Sequence, residues 1–481
     1  MLTPAEEVGL AGQRLASRVQ KALDAIPPDE MRELIRSIHA LATDRHLCYQ
    51  REGLTETVRL LPCPITIRQD QVAYLHYVSQ TIHNCIKQLP DLYFSNPTAH
   101  GILRLTAEED RWLQQCWTPA HREASPIFGR LDAVVDFTSA MWKDTLNFVE
   151  PNLSGIGGVH FGPTCDRVLA ELVIPAIVAR DPRIRLTLGA DLRELLLQDL
   201  LEHLEAIERP GGQIALVDPK YDTEGPDEPE ALVRYYRERH GIEVVHADPA
   251  ELRLDDDEVW FEGKRIDVAY RDYSVLDLLD AASEGTNVSP MRTLFAKNRM
   301  VSSIAAELDQ KSCWEIFTDS ELTARHFTAE ERQVFRRHIL WTRILGDRRT
   351  TNDRGETVDL LDYVRHEREQ LVIKPNRSYG GDGVVIGLAV SQGEWEAVIE
   401  AAVRDTEARW VAQQVAAIPV KEFHVVGADG GVHVEPFYVV LGFAPSRYGV
   451  AFIARASQKQ VVNVAQHGGE CAVMVSSSVV G

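Results

Sequence analysis

Leu371-Val-Ile-Lys-Pro-Asn-Arg-Ser-Tyr-Gly-Gly-Asp-Gly-Val-Val-Ile-Gly387 is the stretch whose reading decides the fold. It runs as strand, glycine-rich loop, strand. Leu371 to Ile373 are apolar and β-prone, Lys374 comes off the strand end, and Pro375 blocks further pairing. Gly380, Gly381 and Gly383 give a loop whose backbone N–H groups can wrap a polyphosphate. Lys374 beside that loop supplies a point charge for phosphate oxygens. No Gly-Lys-Ser/Thr follows the glycines, which excludes a Walker A loop. The chain returns to a β-prone run, which excludes a dinucleotide fingerprint leading into a helix. A glycine-rich β-turn is also an ordinary connection, so the reading turns on a second motif upstream.

That motif is Thr145-Leu-Asn-Phe-Val-Glu-Pro-Asn-Leu-Ser-Gly-Ile-Gly-Gly158. A strand delivers Glu150 and Asn152 to one face, because side chains alternate with period 2. A carboxylate and a carboxamide oxygen side by side make a hard-oxygen site suited to Mg²⁺, with phosphate oxygens as further ligands. Gly129-Arg-Leu-Asp-Ala-Val-Val-Asp-Phe137 reads as the partner strand, joined through Thr138 to Asp144 as an antiparallel hairpin. Pairing centred on Met141 sets Asp132 opposite Glu150, and pairing centred on Lys143 would choose Asp136. Asp132 is the favoured third metal ligand, with Asp136 left open because register is not secured by one sequence. A plain solvated acidic hairpin would read similarly.

Composition narrows the class. The chain has 481 residues, 44% hydrophobic and 7% aromatic, as in an ordinary globular protein, and its length suggests two or three units. A net charge of −21 disfavours nucleic acid as a partner. No apolar run approaches the ~20 residues of a membrane span. The opening Met1-Leu-Thr-Pro-Ala-Glu-Glu lacks a basic and apolar leader. The 7 cysteines are scattered without a Cys-x-x-Cys pair, which argues against zinc and disulfides. A cytoplasmic, non-membrane protein is expected, with small molecules as partners and oligomeric state left open.

Residues 1–125 read as a mostly helical region, with helices at Glu7–Ala25, Met31–Ala42 and Asp70–Leu89. Residues 126–165 hold the metal-binding hairpin. Residues 166–285 open with a helix near Cys165–Ala179 and then alternate strand and helix. Gln213–Asp218 and Ile242–Ala247 read as strands, Glu228–His240 as a helix closed by Gly241, and Gly263 as a hairpin turn. This predicts a small parallel α/β unit. Residues 286–481, which carry the glycine loop, are expected to form the nucleotide-binding region. Tyr270-Arg-Asp-Tyr273 ends a strand, and Arg271 suits either a substrate contact or a structural salt bridge.

The two motifs, in this order, resemble the circularly permuted ATP-grasp ligases, among them glutathionylspermidine synthetase and eukaryotic glutathione synthetase. In that group the Glu-x-Asn strand precedes the glycine loop, as Glu150-Pro-Asn152 precedes Lys374 here. Arg130-Leu-Asp132 is similar to the Arg-x-Asp whose Arg meets the substrate carboxylate and whose Asp binds metal. Met300 to Trp314 resembles the segment whose Lys, here Lys311, contacts the nucleotide. Trp410-Val-Ala-Gln-Gln-Val415 resembles the hinge strand that hydrogen-bonds adenine, which places Gln413 and Gln414 at the nucleotide. Phe452-Ile-Ala-Arg455 with Val462 to Gly469 resembles the closing Arg and glycine segment. The resemblance spans roughly residues 125 to 475. It implies an α+β fold: a permuted ATP-grasp core with a helical N-terminal region and a small substrate-side α/β domain. The chain also departs from the group. Eukaryotic glutathione synthetase carries a Glu metal ligand in its glycine loop, where this chain has Ser378, Tyr379 and Asp382. The hairpin is longer than in glutathionylspermidine synthetase, and no amidase-like region precedes it.

The activity this implies is ATP-dependent ligation of a carboxylate to an amine through an acyl phosphate, releasing ADP and phosphate. Mg²⁺ would sit on Asp132, Glu150 and Asn152. Lys311, Lys374 and the loop carrying Ser378, Tyr379, Gly380, Gly381 and Gly383 would hold ATP. Arg130 and Arg455 are the catalytic candidates, because a guanidinium fork grips carboxylate or phosphate and stays charged. Arg130, Ser154 and Arg271 are the substrate candidates. The expected partners are an amino-acid-like or short-peptide acid and an amine. A phosphotransferase and a nucleotide-binding scaffold without turnover are the competing classes.

Overall fold

The computed structural model describes residues 4–51, 53–221, 225–226, 228–378, 381–460 and 468–476. Its largest sheet is antiparallel and is assembled from both halves of the chain. Its order is Gly469–Cys471, Gly449–Ser457, Val432–Ser446, Arg130–Val134, Asn147–Asn152, and Val420–Val426 pairs separately with Val432–Ser446. The long strand Val432–Ser446 changes character along its length. Its first half is largely exposed, and its second half, where it meets Arg130–Val134 and Gly449–Ser457, is buried on both faces. Helix Gln69–Ile86 packs against that second half.

The hairpin has the favoured register. Asp132 pairs with Glu150 and Arg130 with Asn152, with a bulge after Asp132. Asp136 lies in the turn instead, where it accepts from the Thr138 amide and hydroxyl at 2.9 and 2.6 Å. A short helix, Trp142–Thr145, takes up the extra length of the connection.

A second antiparallel sheet carries the glycine loop. Its order is Thr342–Ile344, Val411–Gln414, Leu371–Lys374, Val385–Ile386. Helices Leu360–His366 and Gln392–Arg404 bury its outer face through Leu360, Val364, Trp395 and Ile399. The third sheet is the expected parallel unit, ordered Met300–Val301, Val268–Arg271, Ile214–Val217, Val244–Ala247. Helix Pro229–His240 crosses back over it and stops at Gly241, whose φ of 67° gives the left-handed cap. The Gly263 turn is also present, at φ 79°.

The first 125 residues are not all helix. Cys48–Arg51 and Leu54–Thr57 form a hairpin, and Ile65–Arg68 lies parallel to the C-terminal strand Val473–Ser476. This region does not bury a core of its own. Leu15, Ile38 and Leu75 belong to the same apolar cluster as Leu441 and Val473.

Candidate functional site

The large sheet and the glycine-loop sheet face each other across a cavity of about 520 Å³. From the large sheet come Arg130, Asp132, Glu150, Asn152 and Arg455, and from the smaller sheet Lys374, Gln413 and Gln414. Period-2 alternation explains why Arg130 and Asp132, and Glu150 and Asn152, look the same way. Ser154 and Gly381 also reach the cavity wall. Gly381 and Gly383 hold φ of 81° and 73°, which a side chain would strain. A Cβ at Gly383 would in addition press on Pro375 and Trp410. Tyr379, Gly380 and most of the Val462–Gly469 segment lie outside the described residues.

Asp132 is the electrostatic centre of the large-sheet wall. It is 3% exposed and held by two guanidinium groups, Arg130 Nε at 2.7 Å and Arg455 at 2.7 Å. Burial alone would raise its pKa, but Arg130 and Arg455 outweigh that and hold the carboxyl below its usual range. Arg130 also donates to the Gly157 carbonyl at 3.1 Å, which ties the wall to the glycine segment. Arg455 keeps a buried Nε with no partner.

The facing lysines come from distant segments. Lys374 donates to the Val149 carbonyl at 3.1 Å, so it lies against the metal-motif strand. Burial pulls its pKa down to about 8, with Glu150 opposing and Lys311 assisting that fall. Lys311 does not reach the wall of the cavity. It sits behind it, donating to the Ser378 carbonyl at 2.5 Å and pairing with Glu150 at 3.4 Å. Ser378 therefore contributes its backbone oxygen to Lys311. Gln413 donates to Thr342 Oγ1 at 2.9 Å, and the Gln414 amide donates to the Trp341 carbonyl.

Arg271 requires a correction as a substrate contact. It is fully buried and does not line the cavity. It pairs with Glu307 at 2.5 Å and donates to the carbonyls of Ser302, Ser303 and Tyr273. All of its reach is spent on fixed groups, so of the two roles open to it in the sequence it fills the structural one.

Three cavity acids escape the motif reading: Asp272, Asp277 and Asp309. Burial raises Asp272 to about 6, and Asp218 and Asp277 add to the effect. Burial likewise raises Asp309 to about 6, although it accepts the Leu153 amide at 2.7 Å. Two signals were available in the sequence. Asp272 follows the end of a parallel strand, where such sheets bind ligands, and Asp309 stands two residues before Lys311. Gly155 belongs with Asp272, because a Cβ there would collide with its carboxylate.

Glu150 and Asn152 fit a divalent cation. Glu150 is partly exposed, and the buried Asn152 Nδ2 finds no partner. Half a turn of that amide puts its oxygen there instead. Asp132 already accepts from guanidinium groups on both oxygens: Oδ2 takes both Arg455 and Arg130, while Oδ1 takes Arg130 alone and keeps a second lone pair. Among the described residues, no group of three or more His, Cys, Asp or Glu converges to form a cage. The site thus offers the one or two protein ligands typical of Mg²⁺ that takes its remaining oxygens from phosphate.

No family model and no curated protein sequence matches the chain. Among solved structures it is similar to a glutathione synthetase-like effector from Globodera pallida, in its apo form. The two are 10% identical, with a TM-score of 0.59 over 93% of this chain and 97% of that one. The chain therefore has a distant glutathione synthetase-like fold of mixed helix and sheet. No helix among the described residues is long and apolar enough to cross a membrane.

Proposed function

We propose that the protein is a circularly permuted ATP-grasp ligase that joins a carboxylate to an amine with cleavage of ATP to ADP and phosphate. One observation carries the reading. A 520 Å³ cavity between two sheets brings Lys374 against a wall of Glu150, Asn152, Asp132, Arg130 and Arg455, although these residues come from three separate parts of the chain. The Lys374 ammonium on one wall, with hard oxygens and guanidinium groups on the other, suits a polyphosphate beside a carboxylate.

In this reading the adenine lies along Val411–Gln414, of which Gln413 and Gln414 line the cavity with Val415 and Ile418. Lys374 neutralises phosphate charge at the wall, and Lys311 adds to the positive field from behind it. Glu150 and Asn152, with Asp132 beside them, would hold Mg²⁺, which would neutralise charge on the transferring group. Arg130 grips the acid with its fork, because Asp132 and the Gly157 carbonyl already fix its plane. Arg455, which lines the same wall, stabilises the transferring phosphoryl group. The amine approaches from the side of Asp272, Asp277 and Asp309, a polar wall suited to an ammonium group that must lose a proton before attack. Asp272 and Asp309, both raised to about 6, are candidates to accept it. The substrates are then amino-acid-like or short-peptide molecules.

The test is ADP release from ATP and Mg²⁺ across a matrix of amino acids and short peptides offered singly and in pairs. A ligase releases ADP only when an acid and an amine are both present. Release with a single acceptor and a stable phosphorylated product would make the protein a phosphotransferase.

A further inference from the structure

A second cavity, of about 690 Å³, is lined by His160, Phe161 and Thr164, which follow the glycine segment that lines the first, and no step of the proposed reaction uses it. Four arginines line it: Arg45, Arg167, Arg193 and Arg234. Arg193 is 2% exposed and forms the floor. It pairs with Asp191 at 2.7 Å, donates to Thr164 at 3.3 Å and stacks over the Tyr235 ring at 4.1 Å. Arg167 shares the same Asp191 carboxylate at 2.9 Å, so one anion serves two guanidinium groups. Arg45 is paired with Glu171 at 2.6 Å.

Arg234 is the informative member. It stands on helix Pro229–His240 with Glu230 four residues before it and Glu238 four residues after, the spacing that favours surface ion pairs. Both glutamates also line the cavity, exposed at its rim. Yet among the described residues Arg234 takes no hydrogen bond or ion pair with either of them. His160 adds a second unmet group, a buried Nδ1 without a partner. Burial lowers the His160 pKa to about 4, and Arg193, Arg234 and Arg167 lower it further against Asp191 alone. Around His160 the three arginines thus outnumber Asp191 and the imidazole is neutral, while Glu230 and Glu238 stand at the rim.

We propose that this cavity binds a small oxyanion, a phosphate-bearing or carboxylate-bearing metabolite, held by Arg234, Arg167 and His160. Guanidinium forks grip both oxyanions by paired hydrogen bonds, and the shared Asp191 leaves Arg167 with donors to spare. The position joins this site to the first cavity. Helix Pro229–His240 is preceded by Glu228, whose carboxylate accepts the amides of Gly158, His160 and Phe161 at 2.6 to 2.8 Å. An occupant on Arg234 thus rests on the same helix that clamps the back of the glycine segment.

Titration calorimetry of the whole protein tests this with inorganic phosphate and with citrate, at ionic strength fixed by chloride. Saturable binding of either is expected, and which of them binds tells a phosphoryl source from a carboxylate one. Arg234→Gln and Arg167→Gln alter exposed side chains and should each weaken that binding at least about tenfold, roughly 1.4 kcal/mol. Lys374→Ala should leave it unchanged. Three results overturn the proposal: no binding beyond the chloride control, binding that survives Arg234→Gln intact, or binding lost in Lys374→Ala, which would place it in the first cavity.

Discussion

Arg271 and Arg455 both sit on strands and both face a carboxylate, Arg271 fully buried and Arg455 with 13% of its side chain exposed. Their surroundings differ. Arg271 spends its donors on the buried Glu307 carboxylate and on the carbonyls of Ser302, Ser303 and Tyr273, which are fixed by the backbone. Arg455 shares Asp132 with Arg130 and keeps a buried Nε unmatched at a cavity wall. A buried donor without a partner costs stability, so it persists where something else compensates. If the proposed reading holds, charge and a carboxylate partner do not separate a structural arginine from a catalytic one, whereas access to the cavity does.

That contrast can be broken by substitution. The largest effect belongs to Arg271→Met, which strands Glu307 in the core and should cost ~3–5 kcal/mol in urea unfolding. A loss below about 1 kcal/mol would mean the arginine is not structural. Arg455→Gln should do the opposite. Arg130 still pairs with Asp132, so stability should hold within about 1 kcal/mol while ADP formation falls ~100-fold or more. Arg130→Lys sharpens the contrast between the two arginines on Asp132. It should raise the KM of the acid about tenfold with ATP affinity nearly unchanged, because an ammonium cannot reproduce a fork. The facing wall predicts a pH effect of smaller size. Lys374 is depressed to about 8, so it is charged below that pH and neutral above it. The kcat/KM for ATP should be level below pH 8 and fall as pH rises through it, reaching roughly a tenth near pH 9. A profile level to pH 10 would remove Lys374 from phosphate binding. The smallest effect is expected of Asp136→Asn, within about twofold in activity, because Asp136 only closes a turn. Loss of activity there with Asp132→Asn still active would reverse the assignment of the hairpin.

Local features were legible in the sequence because local physics sets them. The strand at Leu371, the turn at Gly263 and the helix stopped by Gly241 follow from nearby residues alone. The pairing of Asp132 with Glu150 was legible because a short connection leaves few registers. Long-range pairing was not. Nothing in Ile65–Arg68 indicates that it will lie against Val473–Ser476, since β-pairing partners leave no mark in either strand. The hairpin at Cys48–Thr57 was lost inside a helical stretch, with only Gly53 to signal its turn. Arg271 could not be resolved either, because a strand-end arginine has the same sequence whether it meets Glu307 or a substrate. The cavity acids Asp272, Asp277 and Asp309 were hidden for a related reason. Two of them owe their raised pKa to burial, and burial is a property of the assembled fold.

The central claim is that a carboxylate is activated by phosphoryl transfer in the cavity between the two sheets. Its most direct test uses the acid substrate labelled with ¹⁸O in its carboxylate, turned over with ATP, Mg²⁺ and the amine, with the products read by mass spectrometry. The account predicts one labelled oxygen in the released phosphate, with ADP and an amide as the other products. AMP with pyrophosphate, or phosphate free of label, would contradict it.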